Sequence, residues 1–136
     1  MGSIRELMTT NPTTCETSST ITDVAKVMKD EDVGPVPVTE GGRLVGIVTD
    51  RDIVVRVVAE GRDPSSTTIR EIVSSDLATV QPDTSLEEAL NLMAQRQVRR
   101  LPVVEGDQLV GIVAQADIAR AADEERTGEV VQQISE

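Results

Sequence analysis

The feature that most constrains this chain is that it repeats itself. Ile4-Arg5-Glu6 recurs as Ile69-Arg70-Glu71, 65 residues on. The same offset, with no gap, carries Met28 onto Met93, Val33 onto Val98, Pro37-Val38 onto Pro102-Val103 and Glu40-Gly41 onto Glu105-Gly106. It also carries Leu44-Val45-Gly46-Ile47-Val48 onto Leu109-Val110-Gly111-Ile112-Val113, and Asp52-Ile53 onto Asp117-Ile118. One register held across half the molecule marks a tandem duplication. The first repeat is read as residues 1–62, the second as 63–124, with a linker near Gly61–Ser66 and a tail over 125–136. About 60 residues make a poor independent core. The two copies are therefore expected to pack together as a pseudo-twofold pair with two related clefts.

Each repeat reads as β-α-β-β-α, an α+β fold with small three-stranded sheets. A short opening helix is expected over Ile4–Met8 and Ile69–Val73, then a β segment over Thr13–Glu16 and Ala78–Gln81. An amphipathic helix follows, with Thr20 and Thr84 or Ser85 as caps and acids in the first turn. Ile21, Val24, Ala25 and Met28 recur at helical spacing, as do Leu86, Ala89, Leu90 and Met93. Val36–Thr39 and Arg43–Thr49 form a hairpin around Glu40-Gly41-Gly42. Leu101–Glu105 and Gln108–Ala114 form another around Gly106-Asp107. The run LVGIV reads as a strand covered on both faces. The first crossover makes its two strands parallel. A second helix runs from Asp50 or Gln115 to about Glu60 or Asp123.

Composition narrows function. Lys and Arg number 13 against 24 Asp and Glu, a net charge of −11, so binding to nucleic acid backbone is disfavoured. The chain has no His, Phe, Tyr or Trp and one Cys. His-based catalysis, His- or Cys-cluster metal sites, intramolecular disulfides and aromatic platforms for single strands are thereby excluded. No window suits a membrane span, and no secretory or myristoylation signal opens the chain, so a cytoplasmic protein is expected. No nucleophile–base pair stands out, so an enzyme is not expected.

The stretch G-I-V-T-D-R-D at Gly46–Asp52, preceded by V-P-V-T-E-G-G, resembles the cystathionine-β-synthase (CBS) domain. R-R-L-P-V-V-E-G and G-I-V-A-Q-A-D repeat the pattern, and the resemblance runs from Ile4 to about Ala122. The chain looks like a stand-alone CBS pair, or Bateman module, similar to small bacterial CBS-pair proteins. Some of those relatives carry Cys and His metal ligands that this sequence lacks. The resemblance implies a clefted module binding AMP, ADP, ATP or S-adenosylmethionine, and dimerisation through helices. It implies that Thr49 and Asp52, with Arg51, face a main cleft that Val98, Arg99 and Arg100 also line, with Ala78 and Thr79 offering backbone groups to the base. A weaker cleft would join Asp117 to Thr14, Val33, Gly34 and Pro35. No metal and no obligatory cofactor are implied.

The residues support that chemistry independently. A strand running into a helix start presents free N–H groups and a positive dipole end. A carboxylate there can accept from both ribose hydroxyls, Thr49 adds a hydroxyl, and Arg99-Arg100 can fork onto phosphate. Ala114, Gln115 and Ala116 replace Thr49, Asp50 and Arg51, so the second cleft is expected to be weak, empty or suited to an uncharged adenosyl group. Bland readings stand beside these. An acid in a first turn stabilises any helix by roughly a few tenths of a kcal/mol, and capping alone is preferred for Asp117. Ligand binding is preferred for Asp52. Arg99-Arg100 could be a solvated pair or bind acids across a dimer. Cys15 reads as a small buried apolar residue. Ile53, Val54, Val57 and Val58 cover more of a helix than one sheet needs, which suggests a helix-mediated dimer. Two functions follow: a regulatory module sensing an adenosyl ligand, or a ligand-free interaction protein docking on a partner.

Overall fold

The structure, a computed structural model, describes residues 2–124. The expected tail lies outside the described residues. In chain order the elements are a 3-10 turn (Ile4–Glu6), β1 (Thr9–Thr10), β2 (Cys15–Glu16), α1 (Ile21–Glu31), β3 (Val36–Glu40), β4 (Arg43–Val48), α2 (Asp50–Ile53) and a π turn (Val54–Val58). A second 3-10 turn (Ile69–Glu71), α3 (Leu86–Arg96), β5 (Arg100–Glu105), β6 (Gln108–Ala114) and α4 (residues 115–124) complete them.

These elements form two compact units that do not coincide with the two repeats. The early unit holds residues 12–77 and 106–109; the late unit holds residues 2–11, 78–105 and 110–124. Each repeat thus sends its opening segment into the unit built around the other repeat.

In the early unit, Thr20 caps α1, its hydroxyl accepting from Asp23 N at 3.2 Å. The helix buries Ile21, Val24 and Met28 and ends at Asp32 in the left-handed region, φ 53°. β2 runs parallel to β3 (Cys15 opposite Val38), and β3 pairs antiparallel with β4 (Val36 opposite Val48). The core gathers Cys15, Val36, Val38, Val48, Val57, Ile69 and Ile72 around α1. In the late unit, Ser85 caps α3, accepting from Glu88 N at 3.1 Å. This helix buries Leu86, Ala89 and Met93 and ends at Gln97, φ 56°. β6 pairs with β5 and, antiparallel, with β1 (Thr9 opposite Ile112). Ile4, Val80, Leu101, Val103, Val113 and Ile118 fill the core. Both cores are aliphatic, and each fully buried Ile, Leu or Val contributes about 1.5–3 kcal/mol of transfer free energy.

The exchanged segments are held by matching hydrogen bonds. Ile69 N donates to Ser19 O at 2.9 Å and Arg70 N to Thr17 O at 3.0 Å; Ile4 N donates to Thr84 O at 3.0 Å and Arg5 N to Pro82 O at 2.9 Å. Thr20 bridges Thr68 as Ser85 bridges Ser3. The motif glycines have a role here. A Cβ on Gly46 would strike the Val73 side chain and lie 2.6 Å from Ser74 O; one on Gly111 would lie 2.9 Å from Thr9 O. Both glycines let the segment after an opening turn cross a strand at close range.

Several expectations need correction. The opening helices are single 3-10 turns, because one buried isoleucine and two backbone anchors fix only three residues. Ala78–Gln81 forms no strand; only Val80 makes a bridge, parallel to Val103. The third strand of the late unit is β1, two threonines with no apolar pattern to announce them. Leu44, Val45 and Ile47 are only partly buried, so LVGIV is not covered on both faces. The helix begun at Asp50 passes into a π turn, with Ala59 N donating to Val54 O at 2.8 Å and Arg62 N to Val57 O at 2.9 Å. The linker is an ordered turn in which Asp63 accepts from Ser65 N at 3.0 Å and Ser65 Oγ at 2.8 Å, holding its carboxyl below the usual range.

Candidate functional site

The backbone positions the site before any side chain is considered. Because α1 ends in a left-handed residue, Val33 N turns back to Met28 O at 3.0 Å, and Gly34-Pro35 leads straight into β3. The register of β2, β3 and β4 then brings Thr14, Gly34-Pro35 and Thr49–Asp52 to one end of the early sheet. There Thr49 is the N-cap of α2. Its hydroxyl accepts from Asp52 N at 3.1 Å, and Asp52 Oδ2 accepts from Thr49 N at 2.9 Å. This capping box uses one carboxylate oxygen and the acceptor side of the hydroxyl. The hydroxyl proton and Oδ1 lie outside it. Gly34 lies against Asp50, whose Oδ1 would be 3.2 Å from a Cβ at that position. Asp50 Oδ1 also accepts from Arg51 N at 3.0 Å. Thr49 and Asp52 are partly buried, whereas Arg51 and Thr14 are exposed.

The late unit repeats the geometry with different chemistry. Val98 N donates to Met93 O at 3.0 Å, and Gln115 N donates to Arg99 O at 2.8 Å. Arg99-Arg100 is therefore placed beside the start of α4 in its own unit. Both arginines are exposed, and Val98 is 39% exposed. Ala78 and Thr79 precede Val80, whose bridge to Val103 fixes them at the same sheet end. Asp117, in the first turn of α4, pairs with Arg120 at 3.5 Å. The structure thus brings Thr49 and Asp52 together with Thr14, Val33, Gly34 and Pro35. It brings Asp117 together with Ala78, Thr79, Val98, Arg99 and Arg100.

The late unit also holds a half-open groove of about 390 Å³, with Thr79, Glu88, Asn91 and Gln95 over Val80 and Leu92. Its volume lies in the range of small-ligand sites. The polar stripe of α3 was the available signal, but any solvated helix face shows one. Cys15 is buried, and desolvation, followed by the neighbouring Glu16, pushes its thiol up to about 11. Among the described residues no three metal-ligating side chains converge, and no helix is long and apolar enough to cross a membrane.

Known proteins supply the family. The family model for the CBS domain matches residues 4–59 and again 69–124. The chain is 47% identical over 119 residues to the CBS domain-containing protein YhcV of Bacillus subtilis, covering 88% of this chain and 84% of that one. It is 38% identical over 135 residues to Hypoxic response protein 1 of Mycobacterium tuberculosis, covering 98% and 94%. A crystal structure of Hypoxic Response Protein I with two coordinated zinc ions superposes with a TM-score of 0.81 at 39% identity, covering 89% and 99%. The CBS domain pair of protein MJ0100, in complex with 5'-methylthioadenosine and S-adenosyl-L-methionine, superposes at 0.80 and 25% identity, covering 92% and 98%. With the family model matching both repeats, and with a fold shared with solved CBS pairs, this chain belongs to the CBS domain family.

Proposed function

We propose that this chain is a regulatory module that senses an adenosine-containing ligand in the cytoplasm. The observation that carries the reading is the junction at Thr49–Asp52. A hydroxyl and a carboxylate of matched geometry stand at a helix start, with Gly34 close against the neighbouring Asp50. Such a pair suits a ribose diol. The MJ0100 pair, a relative of the same fold, was solved with adenosyl compounds. CBS-domain proteins are regulatory modules, which supports a regulatory role for this chain.

Calorimetric titration with AMP, ADP, ATP and S-adenosylmethionine tests the reading. Heat is expected with at least one ligand, lost in Asp52→Ala and largely kept in Asp117→Ala. Without aromatic residues, a 260 nm absorbance that travels with nuclease-treated protein reports bound adenine. A silent titration with all four ligands overturns the sensing reading.

A second reading has its own observation. Val54, Val55 and Val58 are 56%, 47% and 62% exposed on the π turn. This apolar face suits a homodimer formed through helices, or a protein partner. Val58→Glu is expected to shift a dimer toward monomer in analytical ultracentrifugation, and an unchanged sedimentation profile would remove this face from the interface.

A further inference from the structure

Residues 2–10 belong wholly to the late unit, yet they join the rest of the chain at Asn11-Pro12. Asn11 has φ +50°. Asparagine enters that region more readily than other side chains, though less freely than glycine. The following proline opposes it, because it pushes its predecessor toward extended backbone. The joint is therefore held away from its preferred geometry by what is anchored on either side. On one side the anchors are strong. Ile4 is fully buried, Ile4 N and Arg5 N donate to Thr84 and Pro82 carbonyls, Leu86 N donates to Gly2 O at 3.4 Å, and β1 closes the edge of β6. Every one of these partners lies at residue 82 or beyond.

We propose that residues 2–10 are an exchangeable donor segment, seated either in the late unit of their own chain or in that of a second copy. Extending Asn11 relieves the left-handed residue and carries the segment away intact. The vacated unit is left with an open edge at β6 and an empty seat for an isoleucine. The segment that fits this seat without any new surface is the same stretch of another copy. A closed chain and an exchanged dimer then make the same contacts, so the hinge strain and the protein concentration set the balance between them.

The test uses the full chain with Cys15→Ser, Ser3→Cys and Ser85→Cys. Ser3 and Ser85 face each other as an antiparallel bridge, within disulfide reach. A closed chain gives an intrachain bond. Exchange gives covalent dimers on a non-reducing gel, whereas a dimer formed only through helices leaves the bond intrachain. After unfolding and refolding at rising concentration, covalent dimers are expected to increase. Adding Asn11→Val, whose branched side chain resists the left-handed region, should raise the dimer fraction several-fold. Adding Asn11→Gly, which adopts it freely, should lower that fraction. Intrachain bonds alone at every concentration overturn the proposal, as does an equal dimer fraction in the valine and glycine variants. If the valine variant does not fold, the glycine variant decides against the parent, and no fall in dimer overturns the exchange.

Discussion

The early and late units share a skeleton and differ at one end. Helix caps, left-handed helix ends, parallel bridges and the anchors of the opening turns recur at the same offset. The sheet end does not. The early unit presents Thr49-Asp50-Arg51-Asp52 closed by a capping box and followed by a π turn. The late unit presents Ala114-Gln115-Ala116-Asp117 at the start of an unbroken helix, with Arg99-Arg100 alongside. What recurs is mostly backbone geometry that a core requires; what differs is side-chain chemistry that the core does not use. Duplication has left one scaffold with two chemically separate ends.

Predictions follow from that comparison, the largest first. Ile4→Ala and Ile69→Ala remove equivalent, fully buried side chains, and each is expected to cost about 3–4 kcal/mol. Denaturant unfolding that separates them by more than ~1 kcal/mol would break the equivalence. Gly46→Ala is expected to cost about 2–3 kcal/mol and Gly111→Ala about 1–2 kcal/mol, because a Cβ on Gly46 strikes the Val73 side chain and lies 2.6 Å from Ser74 O, whereas one on Gly111 lies 2.9 Å from Thr9 O and 3.0 Å from the flexible Met8 Sδ. The reverse order in thermal melts would refute this account of the glycines. Thr49→Ala opens the capping box and is expected to cost about 1 kcal/mol, whereas Ala114, at the matching position, has no hydroxyl to lose.

A smaller effect concerns acid. The Thr17 hydroxyl, then Arg70, hold the Glu40 carboxyl below its ordinary value of 4.5. A lowered folded pKa means that Glu40 lends its stability in full above that ordinary value. The contribution is lost as pH falls through the lowered one. Glu40→Gln is therefore expected to flatten the acid limb of the stability profile slightly, and an unchanged limb would show that exposure screens the pair completely. The smallest change is Cys15→Val. Val80 fills the matching place in the late unit, so unfolding midpoints should barely move, and a large loss would show that the two cores are shaped differently.

The duplication, both principal helices with their caps, and both hairpins were legible in the sequence because each leaves a local pattern. The exchange of opening segments was not. Ile4-Arg5-Glu6 and Ile69-Arg70-Glu71 are identical, so nothing local says which core each one enters. β1 was invisible because Thr9-Thr10 has no alternation to read, and the π turn because VVRVV fits an α-helix equally well. For the site, Thr49 and Asp52 could be named from their motif. Their mutual hydrogen bonds, and the closeness of Gly34 to Asp50, needed the strand register.

The exchanged opening segments also set a timetable for synthesis. Residues 2–10 are made long before Thr84, Val103 and Ile112, against which they finally rest. Separations of 77 residues (Arg5 to Pro82) to 103 residues (Thr9 to Ile112) are slow to close. During translation the core of the early unit can gather once Ile69 and Ile72 have left the ribosome, while the opening stretch stays unseated. Chaperones and proteases that survey nascent chains would meet that stretch before its seat has been made.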